Sequence, residues 1–294
     1  MFYRRKVILA LLQLFDDQLE KIRLQKLLFL FCQEKQKPEY DFVPYKYGCY
    51  SFSANADMTT MVKKGILIED QNCFEKKDKT DYLEQLNPSD QELLLAVKAK
   101  FGNMSSTGLI KYTYSKYPFY AINSEVAESI LNNEELEYIN KSKPNGKKTV
   151  LFTIGYEGIS LEEYLVRLIR NDIKVLVDVR NNPLSMKYGF SKSQLKKYCE
   201  SIGIQYLHFP KVGIQSEQRQ ELHSQADYDR LFTTYRKNNL DKTTETQLEI
   251  LKVLIQHKRI ALTCFEANIC QCHRKYLSEA IEKLPGFAFE VKHI

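Results

Sequence analysis

From Thr149 onward the chain alternates short β-rich apolar runs with amphipathic segments, and no other feature limits its fold as strongly. Residues 149–154 form a β-branched and aromatic run that ends at Gly155. Ser160 and Glu163 read as a capping box ahead of a helix with Leu161, Tyr164, Leu165, Leu168 and Ile169 on one face. Residues 174–180 have the pattern of a strand buried on both faces. Ser191 and Gln194 open a further helix that Gly203 ends, and residues 204–209 form a short strand. The segment from Pro210 to Asp227 is polar and irregular, long enough to predict a site loop. Leu248, Leu251 and Ile255 mark a helix, residues 260–265 a strand, and Tyr276, Leu277, Ala280, Ile281 and Leu284 a last helix. Such alternation predicts a Rossmann-like α/β domain with a mostly parallel sheet over residues 149–294.

The first half reads differently. Val7, Ile8, Leu11, Leu12 and Phe15 make one apolar stripe at helical spacing, and Ile22, Leu24, Leu27, Leu28 and Phe31 make a second. A turn around Tyr47-Gly48 precedes a third short helix with Met58, Met61 and Val62. Residues 66–68 then suggest a strand, followed by a polar tip with Lys76, Lys77 and Lys79. This order predicts a helical, winged-helix-like DNA-binding domain over residues 1–143, with a basic wing on phosphate; the alternative is a helical packing or dimerisation module. Residues 112–120 interleave aromatics with Lys, which suits stacking on unpaired bases or, alternatively, packing against the domain. The stretch 141–148, polar and basic with Pro144 and Gly146, reads as the linker.

Composition narrows the class. The 294 residues are 44% hydrophobic and 27% charged, which excludes a disordered, collagenous or coiled-coil chain. The longest apolar run, residues 27–32, is too short for a membrane span, and no signal peptide is read at the basic N-terminus, so no membrane partner is expected. Seven cysteines, an odd number, argue against a disulfide scaffold and point to a reducing cytoplasm. The net charge of +6 permits a nucleic-acid partner without requiring one, and the oligomeric state is left open.

Ligands of open parallel sheets bind beyond the carboxyl ends of the strands. Those ends deliver Tyr156, then Asp178, Arg180 and Asn181, then Cys264 and Glu266, the last leading to Cys272, His273 and Arg274. Asp178 and Glu266 are the candidate catalytic carboxylates, able to act as base, nucleophile or cation stabiliser. Arg180 and Arg274 are candidates for phosphate or carboxylate, His273 for phosphate, Asn181 for a base edge, and Tyr156 for stacking. Cys264, Cys270, Cys272 and His273 are ligand types for zinc. Yet Cys-x-Cys-His is cramped for one tetrahedral ion and no distant second Cys pair is apparent, so no metal and no cofactor is expected. Cys264 and Cys272 are read as site-floor residues or reactive thiols.

On residues 153–156, 178–183, 203–206, 264–266, 272–274 and 291–294, the second half resembles the family catalogued as domain of unknown function 488. The resemblance implies the domain and its site edge, not a reaction. Tyr156-Glu157 stands where that family often has Ser or His. The first half resembles Panacea-type, antitoxin-like helical domains at Lys26-Leu27-Leu28, Tyr47-Gly48 and residues 109–114, with Cys49 where the family pattern favours Pro. Two functions follow as expectations. One is a DNA-acting hydrolase, a glycosylase that excises a modified base, in antiphage defence. The alternative is a DNA-binding regulator whose α/β domain senses a nucleotide or small metabolite.

Overall fold

The computed structural model describes residues 1–215, 222 and 224–294; part of the loop expected between Pro210 and Asp227 lies outside the described residues. The chain forms two compact units, Met1–Lys143 and Pro144–Ile294.

The first unit begins with α1 (Tyr3–Leu14), β1 (Gln18–Glu20) and α2 (Lys21–Gln33). A hairpin, β2 (Val43–Tyr45) and β3 (Gly48–Tyr50), leads to α3 (Phe52–Lys63), β4 (Leu67–Glu69) and β5 (Cys73–Lys76). Four helices follow: α4 (Pro88–Phe101), α5 (Ser106–Lys116), the short α6 (Ala127–Ile130) and α7 (Asn133–Ser142). The two apolar stripes of α1 and α2 supply the core, with Val7, Leu11, Leu24, Leu28 and Phe31 fully buried.

Strands β1, β5 and β4 make a three-stranded antiparallel sheet in that order. The unit departs from the expected winged helix at two points. The β2–β3 hairpin intervenes between α2 and α3, and the expected basic residues follow β5 instead of forming the β4–β5 turn, with Lys77 and Lys79 exposed. The turn of that hairpin is Asp70, Gln71 and Asn72. Lys76 is buried, its Nζ held by the carbonyls of Asp78 and Thr80 and by the Asp17 carboxylate at 3.3 Å. The aromatic segment packs inward: Tyr117 and Tyr120 meet the Phe29 ring edge-on at 5.0 and 4.8 Å, and Tyr114 is buried with its hydroxyl on Ser124.

The second unit is an α/β layer structure. Its strands are β6 (Val150–Gly155), β7 (Val175–Asp178), β8 (Gln205–His208), β9 (Arg259–Cys264) and β10 (Glu290–His293). Its helices are α8 (Leu161–Arg170), α9 (Lys192–Ser201), α10 (Gln225–Asn238), α11 (Thr244–His257) and α12 (His273–Glu282). All strand pairs are parallel, in the order β10-β6-β9-β7-β8. Strands β6, β7 and β9 are buried on both faces, which explains their unbroken apolar runs.

The chain runs from β6 outward through β7 to β8, then returns to place β9 between β6 and β7. Helices α10, α11 and α12 share one core with the strands, through Phe232, Tyr235, Ile250, Leu254, Leu277 and Ile281. With right-handed crossovers, connections that advance in opposite directions lie on opposite faces. The direction reverses at β9, and this opens a crevice beyond the carboxyl ends of β6, β9 and β7. Ser160 caps α8 by accepting from the Glu163 amide at 3.0 Å. Ser191 precedes α9 without capping it, because its hydroxyl donates to the Ser185 carbonyl at 2.9 Å and so ties down the β7–α9 loop.

Candidate functional site

A cavity of about 330 Å³ lies in that crevice. Its wall includes Tyr156 from the end of β6, Arg180, Asn181 and Asn182 after β7, and Cys264, Phe265 and His273 from the β9–α12 connection. Leu184, Ser185 and Met186 of the β7–α9 loop complete it. A larger cavity of about 660 Å³ lies in the first unit, between α2, the β2–β3 hairpin and β5. The titratable groups expected from sequence gather at the smaller one.

Four of the expected residues, Asp178, Glu266, Cys272 and Arg274, are not part of the cavity wall. Asp178 is fully buried and is not part of the cavity wall. It receives Arg180 Nε at 2.9 Å, Arg180 NH2 at 2.5 Å, Tyr206 Oη at 2.5 Å and the Arg180 amide at 3.0 Å. Arg180 in turn donates through NH1 to Tyr156 Oη and to the Phe190 carbonyl, both at 2.8 Å. Burial opposes its charge, but the Asp178 carboxylate outweighs that and pushes its pKa further up. Most of the Arg180 donors are therefore engaged within the protein, and the residue braces the cavity floor rather than offering a free fork to phosphate.

Arg274 is also buried and lies outside the wall. Its guanidinium donates to the carbonyls of Glu266 at 2.5 Å and Ala267 at 3.2 Å, so it holds the β9–α12 loop. Gly155 makes room for that loop: a Cβ there would sit 2.0 Å from the Glu266 carbonyl oxygen. Tyr156 is 2% exposed, with one ring face stacked on Phe190 at 4.2 Å; burial raises its pKa. It is a wall, not an open stacking platform. The open aromatic is Phe265, 42% exposed, whose ring meets Tyr156 edge-on at 5.3 Å.

Asn181 lines the cavity, with its amide donating to the Pro210 carbonyl at 3.2 Å. His273 is buried, with Nε2 3.1 Å from the Val179 carbonyl and Nδ1 3.6 Å from Cys264 Sγ. Cys264 Sγ, in the cavity wall, is also 3.2 Å from Glu266 Oε2, although Glu266 is not itself part of that wall. Burial pushes the Cys272 thiol far up, and Cys264 beside it adds to the shift.

Sequence reasoning missed the β7–α9 loop. Leu184 and Met186 are 77% and 104% exposed at the cavity rim. The signal was available in Pro183-Leu184-Ser185-Met186, two large apolar residues in a loop between a strand end and a helix cap. Lys187 stands beside them and donates to the Tyr156 carbonyl at 2.7 Å; burial lowers its pKa.

No helix among the described residues is long and apolar enough to cross a membrane. No curated protein matches the chain. Residues 160–281, from the cap of α8 into α12, match the family described as Domain of unknown function DUF488, so the C-terminal part of the chain is a DUF488 domain.

Proposed function

We propose that this chain is a DNA-acting enzyme that takes a base into the α/β cavity and excises it by hydrolysis of the N-glycosidic bond. The observation that carries the reading is the pair Leu184 and Met186, exposed at the rim of a ligand-sized cavity. Enzymes that act on a base must extrude it from the duplex, and apolar side chains pushed between base steps are a common means of unstacking. Phe265 then offers a face for the extruded base, while Asn181 and Asn182 offer amide donors and acceptors to its edge. Glu266, whose carboxylate lies 3.2 Å from the wall residue Cys264, is the acid this reading assigns to the chemistry. Its carboxylate would stabilise the oxocarbenium-like sugar or orient the attacking water. The first unit would hold the duplex, and defence against foreign, modified DNA is the setting that suits such an activity.

The test is direct. Pure protein is incubated with duplexes carrying natural, hydroxymethylated and glucosylated bases. Released base is read by mass spectrometry and abasic sites by cleavage in hot mild alkali. Release that disappears in Glu266→Gln, with DNA binding retained, supports the reading; intact DNA with every substrate refutes it.

A second reading rests on a different observation. Among the described residues, those that form the cavity wall include no acid. This favours a regulator that senses a nucleotide or small metabolite, for which ligand binding would survive Glu266→Gln and no base would be released.

A further inference from the structure

Three buried side chains meet at the cavity wall: Cys264 at the end of β9 and His273 at the first position of α12, both part of the wall, and Cys272 at the cap of α12. Their Sγ, Sγ and Nδ1 atoms all lie within 4.8 Å of one another, the one such group among the described residues. From this geometry we infer that the α/β unit binds a single soft or borderline transition-metal ion, zinc by preference, through Cys264, Cys272 and His273.

In sequence, Cys-x-Cys-His is cramped for one tetrahedral ion. The fold removes that constraint by leaving Cys270 out. Cys270 is exposed, and the third ligand arrives instead from β9, eight residues before Cys272. Zinc ligands at about 2.3 Å for sulfur and about 2.0 Å for nitrogen, at a tetrahedral angle, stand roughly 3.5 Å apart. Cys264 Sγ and His273 Nδ1 are already 3.6 Å apart.

The imidazole is oriented for the task. The Val179 carbonyl can only accept, so Nε2, 3.1 Å away, carries the proton, and Nδ1 presents its lone pair toward Cys264. A ligating histidine whose second nitrogen donates to a backbone carbonyl is the usual outer support of a metal site. Two thiols and an imidazole select zinc and its soft neighbours over magnesium or calcium. Glu266 Oε2, 3.2 Å from Cys264 Sγ, stands beside the cluster. The ion would close the loop of residues 265–271 and thereby fix Phe265 and Glu266 at the cavity. The assignment does not depend on the reaction proposed above, because it is read on the protein without DNA.

The experiment uses the full chain without a histidine tag, purified in reducing buffer free of chelator. Elemental analysis is expected to find roughly one zinc per chain. Stripping with chelator and titrating with Co²⁺ is expected to produce visible ligand-field bands of tetrahedral thiolate coordination, which zinc then abolishes. Cys264→Ser, Cys272→Ser and His273→Ala each reduce the bound ion to background, whereas Cys270→Ser retains it. The Co²⁺ titration of the unaltered chain needs no variant to fold. A reduced, stripped chain that takes up neither Co²⁺ nor Zn²⁺ overturns the assignment, as does full occupancy in all three variants.

Discussion

Asp178 and Arg180, two residues apart at the end of β7, bind each other beneath the cavity: NH2 of Arg180 lies 2.5 Å from Asp178 Oδ2, with the carboxylate fully buried. The pair ties the end of β7 to β8 and to the end of β6, because Tyr206 of β8 donates to Asp178 and Arg180 donates to Tyr156 after β6. Removing one member leaves the other as an uncompensated buried charge, which costs about 3–5 kcal/mol. Asp178→Asn is therefore expected to lower the urea-unfolding free energy by about that much. The double change Asp178→Asn with Arg180→Met is expected to cost less than the sum of the two singles. Additive costs would show that the two residues do not act as a unit.

Leu184 and Met186 touch solvent rather than core, so their replacement by Ala is expected to change stability by no more than about 0.5 kcal/mol. If they unstack the duplex, the double Ala variant loses base release from duplex DNA while retaining it on single strands. Comparing the two rates on strands of one sequence checks this, and equal loss on both would remove the wedge role.

Gly155 is required by close approach rather than by its φ. An added Cβ would meet backbone, the Glu266 carbonyl at 2.0 Å, which cannot rotate away. Gly155→Ala is expected to destabilise by about 1–3 kcal/mol through overpacking and to displace the loop that carries Phe265 and Glu266. Thermal unfolding measures the first effect. Loss of ligand or DNA-base binding beyond that of equally destabilised core variants measures the second.

Asp90 in the first unit supplies a pH dependence. Burial alone would raise its carboxyl, but Lys35 at 2.7 Å and the Tyr3 hydroxyl at 2.7 Å outweigh burial and hold it below the usual range. A carboxyl whose pKa falls on folding contributes stability that is complete above its unfolded value of about 3.9 and is lost as pH falls through the folded value. Asp90→Asn is expected to cost about 1.5–3 kcal/mol near neutral pH. That gap should close in denaturation curves recorded in acid. A gap that persists at the lowest pH would assign the cost to packing instead of charge.

The α/β class, the parallel sheet and the meeting of Tyr156, Asp178 and Cys264 at one edge were legible because they rest on local properties. A doubly buried strand must be apolar throughout, a capped helix must carry its stripe, and their alternation leaves few topologies. In the second unit, α10 and β10 were missed. The helix α10 has only Phe232 and Tyr235 buried in a polar segment, and β10 is a largely exposed edge strand whose pairing with β6 has no local signature.

What the sequence determined alone is therefore which residues reach the carboxyl edge of the sheet. Which way each one faces there was decided by the tertiary structure. Long-range contacts select between the two sides of a strand end: Arg180 and Tyr206 draw the Asp178 carboxylate inward, and Phe190 covers the Tyr156 ring. Only the insertion of β9 between β6 and β7 brings Phe265 against Tyr156 and sets Cys264 and His273 in one cavity wall with Arg180. That placement follows from strand order, a global property of the chain that no local spacing encodes.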